Sequence, residues 1–123
     1  MQPDFSKMEM KELRLLSGAA YDRELANALS DLETQFRRWR AGETSPFELS
    51  EEIHRFHDGV SRDLWNMYGN LKPHLAVARA IATGLVKETD VSAKVRSKLE
   101  PTIDFMRQDQ LEPGSATENR ELE

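Results

Sequence analysis

From Tyr21 onward, apolar side chains recur as Tyr21, Leu25, Ala28, Leu29, Leu32, Phe36 and Trp39. Steps of three and four residues place them on one face of a long amphipathic helix. Arg37, Arg38 and Arg40 fall in its last turn, where the helix dipole favours cations, and Gly42 supplies a stop. The next helix starts at "SPFE", residues 45–48, with Ser45 as N-cap, Pro46 at the first helical position and Glu48 three residues after the cap. A second series follows: Leu49, Ile53, Phe56, Val60, Leu64, Met67 and Leu71. The short connection predicts an antiparallel hairpin of about residues 20–41 and 46–69.

Gly69-Asn70 ends the second series, and Pro73 opens a shorter, Ala-rich helix, "HLAVARAIATGLV", with Gly84 in its last turn. Thr89 or Asp90 is the expected cap of a final helix carrying Val91, Val95, Leu99, Ile103 and Met106. Pro101 lies inside that pattern and predicts a kink or a division. Before Tyr21, "KMEMKELRLL" predicts a short helix that breaks near Ser17-Gly18. After Leu111, "EPGSATENRELE" has too little apolar surface to offset its ordering cost. No repeat and no alternating strand pattern occurs. The expected fold is therefore all-α: a small helical bundle built on the central hairpin, with two shorter C-terminal helices. Residues 1–19 form an N-terminal segment, a short helix or partly disordered; 20–110 form the bundle; 111–123 form a flexible tail.

The chain has 123 residues, enough for one domain but not for two independent cores. It contains no cysteine, so disulfides, thiolate zinc sites and cysteine nucleophiles are excluded. No apolar run approaches membrane-spanning length, and the first residues lack a signal-peptide core, so the expected location is cytoplasmic. The net charge of −5 is unevenly spread. Residues 43–71 carry six acids against two bases, whereas 72–98 carry six bases against two acids. "RRWR", residues 37–40, combines arginines with an aromatic ring, as nucleic-acid surfaces do. The acidic total opposes that reading, because affinity for the phosphate backbone comes from cations. Glycine-rich phosphate loops and the G-x-S-x-G turn of serine hydrolases are both absent.

The only stretch suggestive of chemistry is "EEIHRFHDGVSRDLW", residues 51–65. Glu51 and His54 make one Glu-x-x-His pair, the spacing that di-iron bundles take from each of two helices, and His57 and Asp58 add two further donors. The set is incomplete within one chain, because the one other histidine, His74, has no such partner. The His57-Asp58 doublet resembles that of metal-dependent phosphohydrolases of the HD class. That set also needs a histidine on an earlier helix, and none precedes His54, so nothing is carried over from it.

At about 100° per residue, His54, His57, Ser61, Trp65 and Tyr68 share a sector beside the apolar stripe. Asp58-Arg62 and Glu51-Arg55 are i, i+4 pairs of ordinary helix-surface type. The stronger expectation is a second, more polar interface, with His54, Ser61, Trp65 and Tyr68 as its interaction surface. It implies a non-enzymatic protein-interaction or accessory protein, with a homo-oligomer or another protein as partner and no cofactor. The alternative is a metal-binding protein or metal-dependent enzyme using Glu51, His54, His57 and Asp58.

Overall fold

A computed structural model describes residues 4–111, and every regular element among them is helical. Helix α1 is Lys7–Arg40, α2 is Pro46–Phe56, and a five-residue π-helix, His57–Ser61, follows directly. Helix α3 is Arg62–Asn70, α4 is Pro73–Ala82, a 3-10 turn covers Glu88–Asp90, and α5 is Ala93–Leu111. The expected all-α class is observed. Of the expected tail, Leu111 closes α5 and the remainder lies outside the described residues.

Helix α1 corrects the reading of its N-terminal half, because it does not break at Ser17-Gly18. One glycine costs a helix interior only about 1 kcal/mol relative to alanine. Leu13 and Ala20, fully buried on either side of Gly18, hold the backbone in place. The start is a capping box missed in the sequence. The Ser6 hydroxyl accepts from the Glu9 N–H at 3.1 Å, and the Glu9 carboxylate accepts from the Ser6 N–H at 2.8 Å. The end is a Schellman motif on Gly42, whose φ is +80°. The Gly42 N–H donates to the Trp39 carbonyl at 3.0 Å and the Glu43 N–H to that of Arg38 at 2.9 Å. The box at Ser45 and Glu48 forms as expected.

The contacts group into two units, and α1 contributes residues to both. One combines the described residues up to Ser17 with those from Pro73 onward. Helix α4 is buried on nearly every side, through His74, Ala76, Val77, Ala78, Ala80 and Ile81, and its small residues let α5 approach closely. Leu13, Val77, Val86, Val95 and Leu99 are its fully buried large side chains. Gly84 lies two residues beyond α4 rather than in its last turn. There it builds a second Schellman motif with φ +82°, the Gly84 and Leu85 N–H groups donating to Ile81 and Ala80.

The start of α5 is likewise corrected. Ser92, not Thr89 or Asp90, is the cap: its hydroxyl accepts from the Val95 N–H at 3.4 Å, and its own N–H donates to Glu12 at 2.7 Å. Thr89 and Asp90 are used in the preceding 3-10 turn. Pro101 does not divide the helix. The hydrogen bond it lacks would end on the Ser97 carbonyl; both residues are exposed, so water can serve that oxygen while Leu99 and Ile103 stay buried.

The other unit is Gly18–Lys72. Tyr21 stacks on Tyr68 with ring centroids 4.7 Å apart, and farther along α1 Leu32 lines a groove with Phe56. Late residues of α1 thus meet early residues of the following helix, an arrangement compatible with the expected hairpin. Its apolar stripe is less buried than the periodicity implied: Leu49 and Leu64 are buried, whereas Ile53 and Val60 are exposed. Trp39, expected on the core stripe of α1, is also exposed, with the Arg40 guanidinium 5.9 Å from its ring centre.

Candidate interaction surface

A π-helix interrupts the second stripe between Phe56 and Leu64. Its residues, His57, Asp58, Gly59, Val60 and Ser61, all rank low as α-helix formers. A run of five such residues was the available signal. A π turn accommodates one extra residue, so positions beyond it lie roughly a quarter turn from where a uniform α-helical wheel puts them. The backbone stays right-handed throughout, and α2, the π turn and α3 are continuous.

The same turn lies between His54 and the pair Trp65 and Tyr68, which share α3. Tyr68 is directed onto α1, where its ring lies nearly parallel to that of Tyr21 and its hydroxyl donates to Glu24 at 2.6 Å. Ser61 is half-buried and His54 exposed. Trp65 is 70% exposed. Of the two aromatic rings expected at an interface, one is committed within the unit and the other is open to solvent.

Glu51, His54, His57 and Asp58 are all exposed. Glu51 accepts from Arg55 at 3.3 Å, and Asp58 lies 3.7 Å from Arg62, so both acids occupy the surface pairs that their spacing suggests. Among the described residues no group of three or more metal-ligating side chains is placed to hold an ion. His74 is buried elsewhere, its ring 5.7 Å from that of Phe5. The arginines of "RRWR" are also engaged locally: Arg37 donates to Glu33 at 2.8 Å, and Arg38 lies 3.7 Å from Glu43.

A groove of about 310 Å³ was not foreseen from the sequence. Ala28, Asp31 and Leu32 form one wall; Arg55, Phe56 and Val60 form the other. Ala28 makes the hollow by being small, and the π turn brings Val60 to its edge. Phe47 at 84% exposure, Ile53 at 39%, Val60 at 42% and the exposed Leu29 add apolar surface to this unit. No described helix is long and apolar enough to cross a membrane. No family model, curated protein or solved structure matches the chain.

Proposed function

We propose that this protein works without catalysis, in the cytoplasm, through protein contacts made by the Gly18–Lys72 unit. One observation carries the reading. Among the hydrophobic side chains of this unit only Ala20, Leu49 and Leu64 are buried, while Leu29, Trp39, Phe47, Ile53, Val60 and Trp65 are exposed. Scattered single apolar residues on a surface need no explanation; it is their number, against so few buried ones in one small unit, that supports the reading. Trp65 suits that role because an indole buries a large area and keeps an N–H to pair.

The test is a photoreactive amino acid in place of Trp65, and separately in place of Ile53, irradiated in the native host. The expected result is a covalent adduct with a polypeptide at one or both positions. If neither position yields a polypeptide adduct, the reading is wrong.

A further inference from the structure

The groove between α1 and α2 supports a more specific statement, which rests on the protein-contact reading above. We infer that it receives a basic amphipathic helix of a partner protein, one with lysine or arginine on both flanks of a short apolar stripe.

The charges on the groove call for cations. Among the described residues Arg55 is the only base lining it, and Arg55 is already paired with both Glu51 and Glu52. Those three side chains together leave one negative charge on the α2 wall. Asp31, exposed on the α1 wall, adds a second. Its helical neighbours three and four residues away are Asn27, Ala28, Thr34 and Gln35, so α1 offers it no cation at those positions. The segment 43–71 has the same sign, six acids against two bases. A helix with bases on both flanks meets a carboxylate on each wall, whereas an acidic one is repelled.

Between the carboxylates the lining is apolar. Ala28, Leu32, Phe56 and Val60 would stay wet under a hydrophilic cation, and covering them takes apolar side chains. The lining runs from Ala28 to Gln35 on α1 and from Glu52 to Val60 opposite, about 10–12 Å at 1.5 Å per residue. Two turns of helix have that length. They bring side chains at i, i+3 or i+4, and i+7 onto one face, the spacing by which helices seat in apolar grooves. A third helix also answers the exposure of this unit, since two helices alone do not enclose their apolar stripes. A contact of two turns is smaller than the ~800 Å² per partner of a stable interface, so the complex is a transient one.

The probe is a fluorescent leucine-lysine helix of about four turns, with leucines at i, i+3, i+4 and i+7 and lysines on both flanks. Titrated into the full chain at physiological salt, it should bind saturably, and its counterpart with glutamate for lysine should not. Asp31→Lys should raise the dissociation constant at least about tenfold by setting like charges together. Ala28→Leu should do the same by filling the hollow without changing the charge. Asp63→Lys, an equal change of charge at an exposed site outside the lining, should raise it by less than about threefold. Each variant should keep the circular dichroism of the wild type; if Ala28→Leu does not, Asp31→Lys against Asp63→Lys decides alone. Equal effects of those two lysine variants, full affinity in a folded Ala28→Leu, or displacement of the probe by spermine at matched positive charge overturns the inference, because binding would then follow net charge rather than the groove. A photoreactive residue in place of Val60, at the groove edge, should capture in the native host a segment with lysine or arginine beside apolar residues. A segment without them, or an adduct of twice the chain mass, overturns the inference. Adducts at position 53 or 65 alongside any of these failures leave the proposed function standing, and absence of adducts at both overturns both claims.

Discussion

The Lys98 ammonium lies 2.7 Å from the Glu9 carboxylate, tying the last helix to the first turn of α1. Lys98 also donates to the Asp4 carbonyl at 2.8 Å and lies 5.5 Å from the centre of the Phe5 ring. The Lys98 hydrogen bond, followed by that from the Ser6 N–H, lowers the Glu9 carboxyl from 4.5 to about 2. A carboxyl depressed in the folded state stabilises the fold above its unfolded value and loses that contribution as pH falls through the folded one. The Glu9 contribution should therefore be complete above about pH 4.5 and disappear progressively towards pH 2. Melting temperatures of the wild type and Glu9→Gln, measured from pH 6 to pH 2, should converge over that interval. A constant separation would show that Glu9 is not the titrating group.

Tyr68 combines a ring stack with a hydroxyl bond to Glu24. Tyr68→Phe keeps the stack and removes the bond, and should cost about 1–2 kcal/mol in urea unfolding, since the acceptor is charged. Tyr68→Ala should cost roughly 2–4 kcal/mol, as it also empties the packed position. Equal losses in the two variants would mean that the stack contributes nothing.

Deleting a residue from the middle of a helix ordinarily rotates everything beyond it by about 100°. Deletion of Gly59 should behave differently, because a π turn without its extra residue closes to α-helix and leaves its flanks in place. Tyr68 should remain on Tyr21, and the melting temperature should hold or rise. Deleting Asn66, beyond the π turn, should be severely destabilising, because it moves Tyr68 off α1. Equivalent damage from both deletions would contradict the role given to the π turn.

Ser92 caps α5, and Asp90 does not. Ser92→Ala should cost about 1 kcal/mol, the usual value of a lost N-cap, while Asp90→Ala should stay within about 0.5 kcal/mol. Chemical denaturation of the two variants, compared at the same pH, distinguishes the assignments; a larger loss at Asp90 would reverse them.

Much of the helical content is legible locally. The Ser45–Glu48 box, the glycine after Arg40 and the proline before His74 each act through one or two turns of backbone, so their outcomes do not depend on the rest of the chain. The α5 stripe of Val95, Leu99 and Ile103 follows from one uninterrupted period, and all three are buried; Val91, expected at its head, is buried too, but in extended backbone before the Ser92 cap. Where local signals conflict with packing, packing decides. Gly18 does not break α1 because Leu13 and Ala20 are buried on either side of it, and Pro101 does not divide α5 because its missing bond falls on the solvent side.

The candidate surface is where the local pattern says least. A wheel drawn at one angle per residue groups His54, Ser61, Trp65 and Tyr68 together, but the turn at His57–Ser61 is wider, and the angle error accumulates across it. Trp65 and Tyr68 both follow that turn in α3, about 60° apart on one helix; Tyr68 meets Tyr21, while Trp65 faces solvent. The residue types available for helix and contact were determined by the sequence alone, through propensity, capping and period. Which aromatic ring is committed, and the groove between Ala28 and Val60, were decided by tertiary structure, because both depend on how far one helix rotates against another.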